Sequence, residues 1–455
     1  MAVATEELVQ RIWARDPTVW TGGDEARWLG WLDEPMRMRD RLGELERFVS
    51  EAAASGQLED VVLLGMGGSS LAPEVLRRSF DADAFHVLDT THPAAIHRLE
   101  SELDLERTLF LVSSKSGTTL ETRSHADYFW KQTGRRGEQF VAITDPGSEL
   151  EQLAREREFR AVFAGEPTIG GRYSALSVFG LVPAALMSVD LERLLDRTDE
   201  MVEACRGVEG NPGLALGLQL GNGWREGRDK ISISPNPGGF GLWAEQLIAE
   251  STGKGGKGLV PAPEEPSRGP DVQTAEVRLP SPYELGQEYF RWEFATAVAG
   301  SILELNPFDQ PDVQAAKDKT NEVLAQGDVR LGPEGSVDEL LAQARDGDYV
   351  AILAFVDPAR EPELDPLVER VRRETGCVVT HGLGPRYLHS TGQLHKGGPP
   401  TGLFVQVVDD PGDELPIPGR DFGFARLLRA QAAGDYAALQ ERGRRVARVR
   451  LEEVS

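Results

Sequence analysis

Only two cysteines, Cys205 and Cys377, occur in 455 residues. Two thiols so far apart cannot build a disulfide scaffold and have no metal-ligand spacing, so a stapled fold and a zinc module are both excluded. That scarcity fits a reducing, cytoplasmic setting. No apolar run approaches the roughly 18 residues of a membrane span, and MAVATEELVQRIW has no basic stretch leading into an apolar one, so neither an anchor nor an export signal is expected. Positive charge is also short: 49 Lys and Arg against 74 Asp and Glu leave a net charge of −25. Such a field repels a free polyanion, so nucleic acid is not an expected partner, while a local basic pocket still leaves room for a small phosphorylated molecule. Histidine is rare. Of seven, none lies from 126 to 380, and His381, His389 and His395 crowd into one late segment. What remains, 40% hydrophobic and 27% charged residues, is the composition of an ordinary globular protein. The length is enough for two or three domains.

The most informative stretch is Thr108 to Thr122, TLFLVSSKSGTTLET. Leu109 to Val112 reads as the end of a buried parallel strand and Thr122 to Lys131 as a helix. Between them stand hydroxyls, one lysine and one glycine. Loop amides and a helix N-terminus can point at an anion while hydroxyls complete its shell, which is the chemistry of a phosphate cradle. It is not a Walker loop, because GxxxxGK[ST] is absent there. Ser/Thr-rich turns also cap helices without binding anything.

The rest of the chain fits an α/β plan. Residues 1–57 read as a helical arm carrying Trp13, Trp20, Trp28 and Trp31, expected to pack rather than to react. Strands are predicted at Asp60 to Gly65, Ala84 to Asp89, Leu109 to Val112, Gln139 to Asp145 and Phe159 to Phe163, alternating with helices. That order argues for a doubly wound parallel sheet with ligands at strand C-terminal ends. The Gly-rich turn GMGGSS, residues 65 to 70, lies at one such end. Its GxGG spacing is not a dinucleotide fingerprint. TIGGRYS follows at 168 to 174, placing Arg172 behind two glycines. A second α/β unit spans 196–330. In its helix from Gly241, Gln246 and Glu250 share one face, and an acid near a helix C-terminus suits a base. Gly253 to Pro270 reads as an exposed loop, and NPFDQPDVQAAK, 306 to 317, as a proline-fixed bend before a helix. Residues 331–455 form a third section with strands at Tyr349 to Val356, Cys377 to Thr380 and Gly402 to Val408, a His-bearing loop, and a tail over 423–451 that reads as helical. For the clustered histidines, proton transfer is a better reading than metal binding.

In this order, GMGGSS, SSKSGTTLET, GGRYS, AESTGK and NPFDQPDVQAAK resemble the glucose-6-phosphate isomerase family, which is built on two SIS domains. The resemblance covers roughly 60–320. The segment GPRYLHSTGQLHKGG is similar to the isomerase half of bacterial transaldolase–phosphoglucose isomerase fusions, with no room here for a transaldolase barrel. The resemblance implies an arm over 1–57, a first SIS domain over 58–195, a second over 196–330 and an α/β extension over 331–455. It implies that Ser114, Lys115, Ser116 and Thr119 hold a sugar phosphate, that Ser69 lines the same pocket, and that Glu121 lies near the sugar. Arg172, beside Gly171, would stabilise an enediolate, and Gln246 would touch substrate. Glu250 would be the base, Gln310 a phosphate-side residue and Lys317 a ring-opening group. The family's ring-opening histidine normally precedes that lysine, a position vacant here. His389 takes the role by motif, with His395 as the alternate. No cofactor or metal is implied, and a homodimer is.

The expected reaction is interconversion of glucose 6-phosphate and fructose 6-phosphate through ring opening and a cis-enediolate. The alternatives are a dual phosphoglucose/phosphomannose isomerase, or a non-catalytic SIS sensor of sugar phosphates. The joint presence of Glu250 and Arg172 speaks against the sensor.

Overall fold

The computed structural model describes residues 5–56, 58–266, 269–327 and 331–454, with the backbone alone at 313–316. Five strands, β1 (Asp60–Gly65), β2 (Phe85–Leu88), β3 (Thr108–Ser113), β4 (Phe140–Thr144) and β5 (Ala161–Ala164), form a sheet in the order β2-β1-β3-β4-β5. Every pairing in it is parallel. β1, β3 and β4 are almost wholly apolar, as strands covered on both faces must be. The order reverses between β1 and β3, and at that switch point the carboxyl ends of neighbouring strands leave a crevice. GMGGSS follows β1 and the Ser/Thr-rich loop follows β3, so both turns open into it.

Alternation along the strands divides the core. Val61, Leu63, Leu109 and Leu111 face a layer that includes Val9, Ile12, Trp31 and Leu45 of the arm and Trp243 and Phe290 of later helices. Val62, Leu64, Phe110 and Val112 face the opposite layer, where Leu324, Phe424 and Leu427 pack. The arm is therefore a packing element, as its tryptophans suggest. Its helices are Thr5–Trp13 and Glu34–Ala54, with short 3-10 turns between.

Beyond it, β6 (Lys230–Ile233), β7 (Val260–Pro263) and β8 (Val272–Ala275) form a parallel sheet in the order β7-β6-β8. A third parallel sheet has the order β10-β9-β11-β12, from β9 (Tyr349–Phe355), β10 (Val378–Leu383), β11 (Gly402–Val408) and β12 (Arg445–Arg450). The facing edge strands β7 and β10 lie against each other. The buried Glu265 carboxylate ties the two sheets, accepting from Arg372 at 3.0 and 3.1 Å and from the Val379 amide at 3.3 Å.

Two sequence expectations are corrected here. Gly253 to Pro270 is not all exposed loop. It carries β7, most of which is buried. Two prolines hide a strand from pattern reading, yet they are tolerated because β7 is an edge. The tail is helical only over Phe424–Glu441; it then turns and ends in β12. RVARVR shows no clean period-two alternation, and its three arginines mask an edge strand.

Candidate active site

Several segments from distant parts of the chain meet at the crevice. After β1, a 3-10 turn over Gly67–Ser69 takes Gly67 to φ +56°. A Cβ there would stand 2.7 Å from the His389 carbonyl oxygen and 2.9 Å from Gln246 Nε2. At Gly68 it would stand 2.1 Å from the Gly171 carbonyl oxygen. Only glycine permits such backbone approach. The turn thus seats both the Arg172 segment and the His389 segment.

Arg172, 2% exposed, lies in the 3-10 turn Gly171–Tyr173. Trp31 of the arm packs on Tyr173 with ring centroids 5.4 Å apart. Its guanidinium is fully engaged. Nε donates to Ser251 Oγ at 2.8 Å, Nη1 to Gln310 Oε1 at 2.8 Å, and Nη2 to the carbonyls of Pro307 and Asp309 at 2.7 and 3.0 Å. Nη1 also stands 3.5 Å from Glu250 Oε2. Gln310 thus accepts from Arg172 through its Oε1.

Gln246 and Glu250 do share one face of the helix Gly241–Thr252. Gln246 Nε2 donates to Glu250 Oε2 at 3.3 Å and to the His389 carbonyl at 2.8 Å. Burial pushes the Glu250 carboxyl above its usual range, against the opposing pull of Arg172, His389 and Lys254. A carboxylate made more basic by desolvation is what a proton shuttle near neutrality needs.

The other acid is set the opposite way. Glu121, in the first turn of the helix Leu120–Gln132, accepts from His389 Nε2 at 2.9 Å and from Gln431 Nε2 at 2.7 Å. Burial alone would raise Glu121, but neighbouring His389, its hydrogen bond and Lys317 outweigh it and hold the carboxyl down to about 2. An ionised carboxylate only accepts, so His389 carries its proton on Nε2. Glu121, His389, Lys317, Thr118, Thr119, Arg420 and Gln431 line one cavity of about 370 Å³. The His389–Glu121 contact lies within a single chain.

Of the Ser/Thr loop, Thr118 and Thr119 line this cavity, and Ser114 and Ser116 stand behind them. Gly117 turns at φ +72°. Ser114 Oγ accepts the Gly117 amide at 3.1 Å and lies 3.1 Å from Thr119 Oγ1, and Ser116 Oγ lies 2.9 Å from Thr118 Oγ1. The Thr119 side chain does not cap the helix that begins at Leu120, and a helix N-terminus favours a nearby anion. Ser69 is buried in the neighbouring turn.

Two expected residues are placed elsewhere. Lys115 turns out of the loop to Asp145 Oδ1 at 2.7 Å and the Glu166 carbonyl at 3.1 Å, over the Phe179 ring. That partner had no visible link to the loop in sequence. His395 is buried among Tyr349, Tyr387 and Phe404, and burial with adjoining Lys396 and Arg444 pushes it well below its usual range. It is not part of the Glu121 cavity, so of the two histidines only His389 meets the other site residues.

Three residues that sequence reasoning passed over join the site. Lys254 donates to Asn306 O at 2.8 Å and Asp309 Oδ1 at 2.6 Å, and burial with nearby Arg172 brings its ammonium down to about 8. It closes the AESTGK motif, which was its only signal. Arg420 and Gln431 come from the C-terminal section, and no motif marks either.

Residues 35–206 match the model of the phosphoglucose isomerase family. Over that stretch the chain is similar to the phosphoglucose isomerases. It is 33% identical over 267 residues to glucose-6-phosphate isomerase of Gloeothece citriformis, an alignment covering 51% of this chain and 50% of that one. The chain thus spans about half the length of the curated relatives it matches. Among solved structures, a glucose-6-phosphate isomerase from Chlamydia trachomatis aligns with a TM-score of 0.54 at 20% identity, over 70% of this chain and 78% of its own. A hypothetical protein from Thermus thermophilus aligns with a TM-score of 0.50 at 24% identity, over 98% and 83%. At these identities the two structures speak for the fold alone. Among the described residues no helix is long and apolar enough to cross a membrane.

Proposed function

We propose that the chain is an aldose–ketose isomerase interconverting glucose 6-phosphate and fructose 6-phosphate. The observation that carries this reading is the Gln246 amide, which joins the base Glu250 to the backbone of His389 and so sets two proton-transfer groups around one crevice. The phosphate would sit at the Ser114–Thr119 loop and the amides behind Thr119, with Lys317 and Arg420 across the cavity. Binding there holds the sugar still and lowers the entropic cost of the reaction. His389, oriented by Glu121, and Lys317 would exchange protons with the ring oxygen and O1 as the ring opens. Glu250 would then take the proton from C2 and return it at C1, while the C2 hydroxyl proton passes to the C1 oxygen. The Arg172 guanidinium, fixed by its four hydrogen bonds, stabilises the negative charge that develops on the enediolate.

As proposed, each of these groups comes from the same chain, and the His389–Glu121 contact supports that reading. A homodimer is supported by the family resemblance alone, and sedimentation would test it. For the activity, the test is a coupled assay on glucose 6-phosphate, fructose 6-phosphate and mannose 6-phosphate side by side. Turnover of the first two is expected. Absence of turnover with every hexose 6-phosphate, together with measurable binding, would turn the reading toward a sugar-phosphate sensor.

A further inference from the structure

We propose that Gln431 is a positioning residue that holds Glu121 against His389, with Thr91 locking its amide. The inference rests on the isomerase reading for its kinetic consequence, but not for its geometry. Gln431 lies on the helix Phe424–Glu441, more than three hundred positions from Glu121 in sequence. That helix packs on the helix Val313–Gln326, and its Phe424 and Leu427 join the core layer on one face of the first sheet. The C-terminal section thereby delivers an amide into the wall of the cavity that holds Glu121 and His389.

The polarity of the chain of hydrogen bonds is fixed by chemistry. Glu121 is ionised, so every group facing its Oε1 must donate. His389 does so at 2.9 Å and Gln431 Nε2 at 2.7 Å. With its NH2 committed, Gln431 turns its Oε1 the other way, where Thr91 Oγ1 donates at 2.7 Å. Thr91, Gln431 and Glu121 are 0, 2 and 6% exposed, so water does not compete for these bonds. A reverse orientation would set an amide oxygen against a carboxylate. Thr91 itself stands in the segment that follows β2, so the first sheet anchors the far end of the relay.

The relay has a specific task. Lys317 lines the same cavity and attracts Glu121. Without a second donor behind it, the carboxylate is free to swing toward that cation and away from His389. Gln431 opposes this without adding charge, so Glu121 stays ionised and His389 keeps its Nε2 proton, leaving Nδ1 as the nitrogen that exchanges protons.

The test compares the full-length wild type with Gln431→Met, Thr91→Val and Thr91→Ser. Gln431→Met keeps the shape and removes both hydrogen bonds. It is expected to lower kcat roughly tenfold or more, in line with loss of a hydrogen bond to a charged group, and to leave KM for fructose 6-phosphate within about twofold. Thr91→Val should act in the same direction but more weakly, and Thr91→Ser, which retains the hydroxyl, should behave as wild type. The second readout needs no activity. The hydrogen-bonded His389 imidazole N–H should give a proton resonance downfield of the amides, absent in Glu121→Gln and Gln431→Met and retained in Thr91→Ser. If Gln431→Met keeps that resonance and its kcat, or if kcat and KM worsen together with the unfolding midpoint while the resonance stays, the positioning role is overturned. Should the wild type prove inactive on hexose phosphates, the isomerase reading fails and the resonance alone decides the role of Gln431.

Discussion

Arg172 is the residue whose removal has consequences that can be worked out most fully. It joins three segments, and five acceptors face it: Ser251 Oγ, Gln310 Oε1, two backbone carbonyls and the Glu250 carboxylate. At 3.5 Å from Glu250 the charge pair interacts by about 5 kcal/mol at an effective dielectric constant near 20. Arg172→Ala leaves that carboxylate buried and unpaired, which typically costs about 3–5 kcal/mol in stability. It also removes the fixed charge proposed to face the enediolate, for which a loss of roughly 10²–10³ in kcat is expected. The Glu250 carboxyl, already raised by burial with Arg172 opposing that rise, should move further up, so the acid limb of kcat should shift to higher pH. Arg172→Lys keeps the charge but not the fork of donors, and should fall between. The assay is coupled isomerase kinetics across pH together with urea unfolding of both variants. An Arg172→Ala protein with a wild-type unfolding midpoint and kcat within about threefold would refute both the structural and the catalytic role.

Other perturbations separate the remaining parts of the site. Glu121 is held down to about 2 in the folded protein, below its ordinary value of 4.5, so its contribution to stability is complete above about 4.5 and is lost as pH falls through about 2. Glu121→Gln should therefore flatten the loss of stability over that acid window, and an unchanged acid unfolding curve would contradict the assignment. Gly68→Ala drives a methyl into the Gly171 carbonyl, so a loss of activity larger than the loss of stability is expected, read by kinetics and calorimetry on the same sample. Because Lys115 is tied to Asp145 while Lys317 lines the cavity, Lys317→Met should lower kcat/KM for cyclic glucose 6-phosphate about tenfold or more and Lys115→Met far less. The reverse ranking would return Lys115 to the phosphate.

Sequence and structure agree most closely where chemistry is local. A Gly-rich turn after an apolar run, hydroxyls before a helix, and Arg172 behind two glycines each reflect constraints within a few residues. The parallel order of β1 to β5 follows from alternation of strands and helices. Long-range pairing left no such trace. Lys115 looks like an anion ligand until Asp145 and the Glu166 carbonyl are seen beside it. His395 lies in the same motif segment as His389 and stands as its alternate, and only the aromatic residues around it show that it is buried away from Glu121. β7 and β12 were hidden by prolines and by arginines at a strand edge. Gln431 sits in an alanine-rich helix with no motif around it, because the partners of its amide, Thr91 and Glu121, lie more than three hundred positions away.

The central claim is that Glu250 carries a proton from C2 to C1 over an enediolate held by Arg172. It is tested most directly by incubating fructose 6-phosphate in D₂O with wild type and Glu250→Gln and following deuterium at C1 and C2 by NMR. Wild type should place solvent deuterium on the substrate carbons as it interconverts the two sugars. Glu250→Gln should bind the sugar phosphate with similar affinity yet show exchange and turnover reduced by about 10³ or more. Exchange at the wild-type rate in that variant would contradict the assignment of Glu250 as the base.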